Sequence, residues 1–344
     1  MLTDIFAYRY EKTPIWENFG KTERRLLVQA FQIVGEQVLP YTARGTIVLG
    51  NTARWTEIHD KLCREFGVEA LSAKLYSVYG TTVEYTMDRV CKNWVLADYD
   101  GSKPADRFMK ERISFIELAF REREEEIKII NAGLPKRLAE AASMDARRVV
   151  HTGVPNLMTE AEKAQNEALN SGFRAAVQEL NERIRRSGCK LHYHNGFIQQ
   201  STDELASKQI EEPFWAIVSD ATWKNVDIDM KEAVDRRDNG DRDPAFYAGR
   251  ALESTIKIIS DRKGWTTGNE NGAHNYIDNL CNKKRGGNLI EEWEKEVLKH
   301  FFTNVRNPMV HGPGSAEMPA LSPSQTDWAI EFCMSWSKSL IRRA

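Results

Sequence analysis

The chain has no C-x-x-C pair, and its five cysteines (Cys63, Cys91, Cys189, Cys281 and Cys333) lie far apart and are odd in number. This disfavours both a disulfide framework and a zinc site, and reads as reduced cytosolic thiols. No stretch approaches about eighteen uncharged apolar residues, and the opening MLTDIFAYRYEKTPIW lacks the apolar core of a signal peptide. The expectation is a cytoplasmic protein with no membrane partner. An excess of one charge is also missing. With 48 Lys and Arg against 50 Asp and Glu, the net charge of -2 gives no long-range attraction for a phosphate backbone, so nucleic acid must be held locally if it binds.

What is present is helical periodicity over a length of 344 residues, enough for two or three cores. KTERRLLVQAFQIVGEQ from Lys21 and WTEIHDKLCREF from Trp55 carry apolar residues at helical spacing, the second ending at Gly67. GTIVLG between them fits a strand or a loop. DYDGSKP, Asp98 to Pro104, is rich in turn formers, and the helix after it places Met109, Ile113, Ile116 and Phe120 on one face. The mixed charges from Arg121 to Lys128 read as its solvated extension. Thr159 and Glu162 form a capping-box pattern before a stripe of Leu169, Phe173, Leu180 and Ile184. In LHYHNGFIQQ, Asn195 and Gly196 suit the two positive-φ positions of a type I′ hairpin. His192 and His194 there point to one face of a strand and could share a metal, but no third ligand is nearby, so hairpin surface is the better reading and no metal is expected. His59, His151, His274 and His300 carry no signal.

The last 130 or so residues read as four amphipathic helices. Asp243 and Pro244 serve as N-cap and first residue of a helix whose Ala245, Ala248, Leu252 and Ile259 face one way. A shorter helix surrounds Tyr276, Ile277 and Leu280 and ends before Gly286 and Gly287. A third, from Leu289, presents Trp293, Val297, Phe301 and Val305. The fourth starts at Ser322 and Pro323 and aligns Trp328, Phe332, Trp336 and Leu340, a stripe read as core. The fold class is therefore mainly α: a helical N-terminal domain (residues 1–103), a helical middle region with a small β-hairpin (104–212), and a C-terminal antiparallel four-helix bundle (213–344).

FFTNVRNPMVHGPGS stands between the third and fourth of these helices and sets Arg306 and His311 five residues apart. In an unbroken helix their side chains diverge by about 140°. Pro308 cannot donate an N–H and disfavours a helical residue before it, so a break or kink at Asn307 would bring both into one cleft. Spacing alone fits an arginine and a histidine capping a helix junction as well as a catalytic pair. Glu253 and Lys257, four apart in the favourable order, fit an ordinary surface ion pair. Lys283, Lys284 and Arg285 fit contacts to RNA phosphates or the capping of a helix end.

Arg-Asn-x-x-x-His-Gly on a helix of such a bundle resembles the R-x4-6-H motif of HEPN ribonuclease domains. The segments from IEEPFWAIVSDATWKN to RALESTIKIISDRKGW, GAHNYIDNL and VRNPMVHGPGS together resemble the C-terminal part of AbiJ-like abortive-infection proteins. TDIFAYRYEKTPIWENFG is similar to one N-terminal domain type found on them. The resemblance implies a HEPN-like bundle that cleaves RNA without a metal or other cofactor in response to phage. It implies Arg306, Asn307 and His311 as catalytic residues, with Glu253 and Lys257 as the acidic residue and lysine on an earlier helix. A histidine near its ordinary pKa can move protons, and an arginine offers permanent charge in a planar fork. Asn307 would bind a phosphate oxygen or orient the histidine, or else act as an N-cap before Pro308. One such pair per chain implies a homodimer through the bundle with facing motifs. Two other readings stay open. One is a HEPN-type RNA-binding or protein-interaction module that does not cut. The other is a toxin held by an antitoxin, although Pro313 stands where some HEPN toxins carry a modified tyrosine.

Overall fold

The computed structural model describes residues 4–43, 45–79, 81–152, 156–201, 204–282, 288–309 and 320–344. Helices dominate among them, as the apolar periodicity predicts. The chain divides into two units, residues 1–198 and 199–344, each with its own hydrophobic core.

In the first unit run α1 (Phe6–Arg9), α2 (Lys21–Ile33), α3 (Leu49–Phe66), α4 (Met87–Val95), α5 (Ala105–Ala132), α6 (Leu134–Thr152) and α7 (Leu157–Arg186). Three two-stranded pairs interrupt them: β1 (Thr42–Ala43) with β2 (Thr46–Ile47), β3 (Leu75–Val78) with β4 (Thr81–Glu84), and β5 (Leu191–His194) with β6 (Phe197–Gln200). Helix α3 ends on Gly67, whose φ of 67° supplies the left-handed cap. GTIVLG is thus a short strand running into a helix.

Helix α5 is the centre of this unit. Every residue from Phe108 to Phe120 is buried, including charged ones, so the helix is enclosed on all sides rather than along one stripe. Lys110 Nζ donates to the carbonyls of Tyr10 and Thr13 (2.7 and 2.8 Å), and Glu117 accepts from Arg9, Arg121 (2.7 Å) and the Ile198 N–H (2.7 Å). Buried charges persist because each is paired. Phe115 stacks on Phe31 at 5.8 Å, so residues before and after 103 share one core. The division between the two compact units follows Ile198, and DYDGSKP is a connection inside the first of them. The charged run after Phe120 is not simply solvated either: Glu124 is buried and accepts a 2.6 Å hydrogen bond from the Tyr193 hydroxyl.

Helix α7 begins two residues before the expected Thr159 cap. Asp145 of α6 does the capping instead, accepting from the N–H groups of Met158 and Thr159 (both 2.9 Å) and the Thr159 hydroxyl (2.8 Å). The β5–β6 turn has φ of 43° at Asn195 and 87° at Gly196, the pair of positive angles a type I′ hairpin needs. His192 and His194 are buried, not surface residues, with ring centroids 4.9 Å apart. Burial pushes the His192 pKa down to about 4. Among the described residues no group of three His, Cys, Asp or Glu side chains is placed to hold a metal.

The second unit contains α8 (Glu204–Ala206), α9 (Glu212–Val218), α10 (Lys224–Asn239), α11 (Pro244–Arg262), α12 (Ala273–Cys281), α13 (Glu292–Phe301) and α14 (Pro323–Arg343). Helices α10 and α11 form a hairpin whose turn uses left-handed Gly240 and Asp243, at φ 66° and 62°. Asp243 precedes Pro244 as expected, but its side chain makes no cap bond in that conformation. Ala245, Ala248, Leu252 and Ile259 of α11 are all buried.

The stripe of α14 is core only in part: Leu340 is fully buried and Phe332 and Trp336 are half-buried against the core, whereas Trp328 lies at its edge. Trp328 is 48% exposed, and Thr326, Ala329, Cys333 and Ser337 form the buried face with Ile330, Met334 and Leu340. Phe332 stacks on Phe301 at 4.6 Å, with Trp328 and Trp336 beside it, forming a ladder at the surface. Trp293 and Val297 of α13 are exposed as well.

A wide π-helical turn follows α13 over Phe302–Arg306, and a 3-10 turn completes it at Asn307–Met309. Similar wide turns occur at Val34–Val38 and Ser207–Glu211. Each stands two residues before a proline: Pro40, Pro213 and Pro308. In each, the residue before the proline donates its N–H five positions back, from Leu39 to Val34, Glu212 to Ser207 and Asn307 to Phe302. The proline ring would strike the carbonyl four residues earlier in a regular α-turn, and widening the turn relieves that clash. Pro308 therefore does not end the helix at Asn307, which keeps right-handed helical angles (φ -64°, ψ -37°).

Candidate active site

Three local features of the second unit build the site. The alanine-rich inner face of α11 fixes that helix in the core, which leaves Glu253 and Lys257 four residues apart on its outer side. Gly249, one turn before Glu253, lets the turn carrying Arg306 approach closely: a Cβ there would lie 2.6 Å from Arg306 Cγ and 3.2 Å from its Cβ. The wide turn then sets the direction in which Arg306 leaves the helix.

Arg306 Nη2 donates to Glu253 Oε2 at 2.8 Å, and Glu253 Oε1 accepts from Lys257 Nζ at 2.7 Å. One carboxylate thus holds two cations. Arg306 Nη1 donates to Asn307 Oδ1 at 3.2 Å, and the guanidinium carbon lies 5.3 Å from the centre of the Phe246 ring. Arg306 Nε is buried and has no hydrogen-bond partner among the described residues. Lys257 also sits 5.5 Å over the ring of Tyr276. The side chains of Glu253 and Arg306 are only 12% and 19% exposed, so water screens their attraction less than at an open surface.

These groups border an open cleft of about 360 Å³, lined by Asp229, Phe246, Arg250, Glu253, Ser254, Lys257 and Arg306. Arg250 pairs with Asp229 at 3.2 Å. Burial raises the Asp229 carboxyl above its usual range, with Arg250 opposing. Three cations face two carboxylates around the cleft, leaving one net positive charge beside an aromatic ring.

Of the residues selected from sequence, Arg306, Asn307, Glu253 and Lys257 come together. His311, Lys283, Lys284 and Arg285 lie outside the described residues. Phe246, Gly249, Asp229 and Arg250 were not selected. Gly249 alone carried a local signal, since a glycine inside a helix costs about 1 kcal/mol relative to alanine and marks a close approach.

A family model described as AbiJ N-terminal domain 4 matches residues 4–216. The chain belongs to this AbiJ family. The AbiJ match covers the whole first unit beyond residue 3 and stops short of α10, so the Arg306 cleft lies entirely outside the matched residues. Membership places the chain among AbiJ-like abortive-infection proteins. No curated protein and no solved structure matches it. Among the described residues of this AbiJ chain, no helix is long and apolar enough to cross a membrane.

Proposed function

We propose that the chain is a cytoplasmic endoribonuclease acting in abortive infection, with Arg306 and His311 as its catalytic pair. The observation that carries this reading is the Glu253 carboxylate holding both Arg306 and Lys257 at one cleft, with Asn307 on the same guanidinium. RNA supplies its own nucleophile. A base takes the proton of a ribose 2′-OH, the O2′–P bond forms, the P–O5′ bond breaks, and an acid protonates the leaving 5′-oxygen. His311 takes one of these proton transfers, while Arg306 and Lys257 neutralise charge on the phosphorane-like transition state. The products are a 2′,3′-cyclic phosphate and a 5′-hydroxyl.

One such Arg–His pair per chain suits a homodimer through the C-terminal unit, with His311 of each chain supplying one member of the acid–base pair. A phage component as trigger, or an antitoxin as restraint, would complete the system. The alternative, an RNA-binding or protein-interaction module that does not cut, draws on the engagement of both terminal nitrogens of Arg306.

Incubation of the purified protein with mixed RNA and with DNA in EDTA, followed by end-group analysis, tests the reading. RNA ends bearing cyclic phosphate, absent with His311→Ala, support it. Cleavage that requires added magnesium, or equal cleavage of DNA, overturns it.

A further inference from the structure

The first unit holds a second concavity, of about 150 Å³, between α2 and the last turn of α7. Thr22, Arg25 and Gln29 line it from α2, and Arg183, Arg186 and Ser187 from the end of α7. Buried Leu26 completes the lining, so the concavity has three guanidiniums and no carboxylate along its wall.

Two of the arginines have structural reasons to be there. Arg183 and Arg186 stand in the last turn of α7, where cations favour the negative end of the helix dipole, and they bond Glu179 (2.9 Å) and Glu182 (2.6 Å). Each does so through one nitrogen, leaving the rest of its fork open. Arg25 has no such reason. It makes no ion pair or hydrogen bond among the described residues, and Lys21, four residues before it on the same face of α2, adds like charge instead of offsetting it. Glu23 is the acidic residue of the first turn of α2, and its carboxylate is taken up by the Gly20 N–H at 2.8 Å. An anion in the cleft answers both features, the like charge on α2 and the open forks on α7.

Tetrahedral phosphate offers oxygens in several directions to converging guanidiniums and to the hydroxyl of Thr22, whereas a carboxylate offers one edge. We propose that this cleft binds the phosphate group of a small phosphorylated molecule, such as a sugar phosphate or a mononucleotide. The small volume favours a terminal phosphate over a nucleic-acid strand. This gives the AbiJ-matched unit a ligand of its own, independent of the cleavage chemistry assigned to Arg306.

Calorimetric titration and thermal melting of the full chain, at constant ionic strength, test this with inorganic phosphate, ribose 5-phosphate, AMP and adenosine. The phosphorylated probes bind and raise the melting temperature; adenosine does neither. Arg25→Ala and Arg186→Ala each weaken binding about tenfold or more, the usual effect of losing a charge-assisted bond, and Arg25→Lys recovers part of it. Both side chains are exposed, so the ligand-free variants melt like the parent. Inorganic phosphate binding as tightly as its esters supports the site and names free phosphate as sufficient. Adenosine binding as well as AMP, a double Arg25→Ala, Arg186→Ala variant that binds like the parent, or no binding of any phosphorylated probe at millimolar concentration overturns it. RNA cleavage is not the readout, so the result stands apart from the ribonuclease reading.

Discussion

Gly249 and Arg306, 57 positions apart, touch so closely that a single methyl group on the glycine would fall 2.6 Å from the arginine Cγ. Gly to Ala inside a helix ordinarily stabilises by about 1 kcal/mol. Here overpacking, typically about 1–3 kcal/mol, opposes that gain, and the strike is at the root of the arginine side chain, where it cannot swing aside. Gly249→Ala is expected to move Arg306 off Glu253 and lower RNA cleavage at least about tenfold, with an unchanged or modestly reduced melting temperature. Parental cleavage by this variant would show that Arg306 does not need this placement.

Within the proposed pair, His311→Ala should lower cleavage by roughly 10²- to 10⁴-fold, as loss of a general acid or base does. Arg306→Lys keeps the charge but cannot reach Glu253 and Asn307 together through a planar fork, and it too should impair turnover strongly. Toxicity in a bacterial host, cleavage in vitro and melting are to be compared side by side. If both variants melt and cut like the parent, the binding-module reading replaces the catalytic one.

Glu253 holds two cations, so removing it has more effect than breaking a surface pair. Glu253→Ala leaves Arg306 and Lys257 without their shared carboxylate and should cost about 1–3 kcal/mol, together with a loss of cleavage. Glu253→Gln, which can still accept one hydrogen bond, should fall between. Denaturant unfolding and single-turnover cleavage measure the two effects separately, and an Ala variant indistinguishable from the parent in both would remove Glu253 from the site.

A separate test concerns Glu211, buried in the second unit. Burial pushes its carboxyl up to about 7, with Arg237 and the Ser201 hydroxyl pulling it down and Asp238 and Glu331 pushing it up. A raised folded pKa means the native state holds this proton more tightly than the unfolded chain, where the value is near 4.5. Its contribution is therefore most favourable below pH 4.5, declines as pH rises, and is fully lost above pH 7, by about 3 kcal/mol. Glu211→Gln should raise the melting temperature at pH 8, and the gain should vanish near pH 4.5. A variant that melts lower than the parent at pH 8 would mean that the ionised carboxylate is held by Arg237.

Much of the helical framework was legible because periodicity marks it. The Ala245, Ala248, Leu252, Ile259 face is buried as read, and Asn195-Gly196 announced its hairpin. The ladder of Trp328, Phe332 and Trp336 was read as fully enclosed because aromatic residues at four-residue steps look alike whether they lie inside a core or along its edge, where Phe332 and Trp336 are half-buried and Trp328 is exposed. The true inner face of α14 is built from small residues such as Ala329, Cys333 and Ser337, whose hydroxyl receives a 3.2 Å bond from Thr255. Close helix approach rests on smallness, which hydropathy does not register. Helix α10 escaped notice for a related reason: KNVDIDMKEAVDRRDN is charged, and its buried Lys231 is paired with Asp227 at 2.6 Å. At the site, Glu253, Lys257 and Arg306 were readable as residue types, whereas the closeness allowed by Gly249 and the flanking Phe246 depends on two helices meeting.

The wide turn at Phe302–Arg306 acts as one surplus residue in the helix, so it sets the angular phase of the residues beyond it. Deleting one residue within it would restore an ordinary α-turn and rotate Arg306 and Asn307 by about 100° relative to Phe301. Arg306 would then leave the side of the helix that faces Glu253, although no side chain of the site had been changed. In this chain the length of the segment is as much a part of the site as the residues in it.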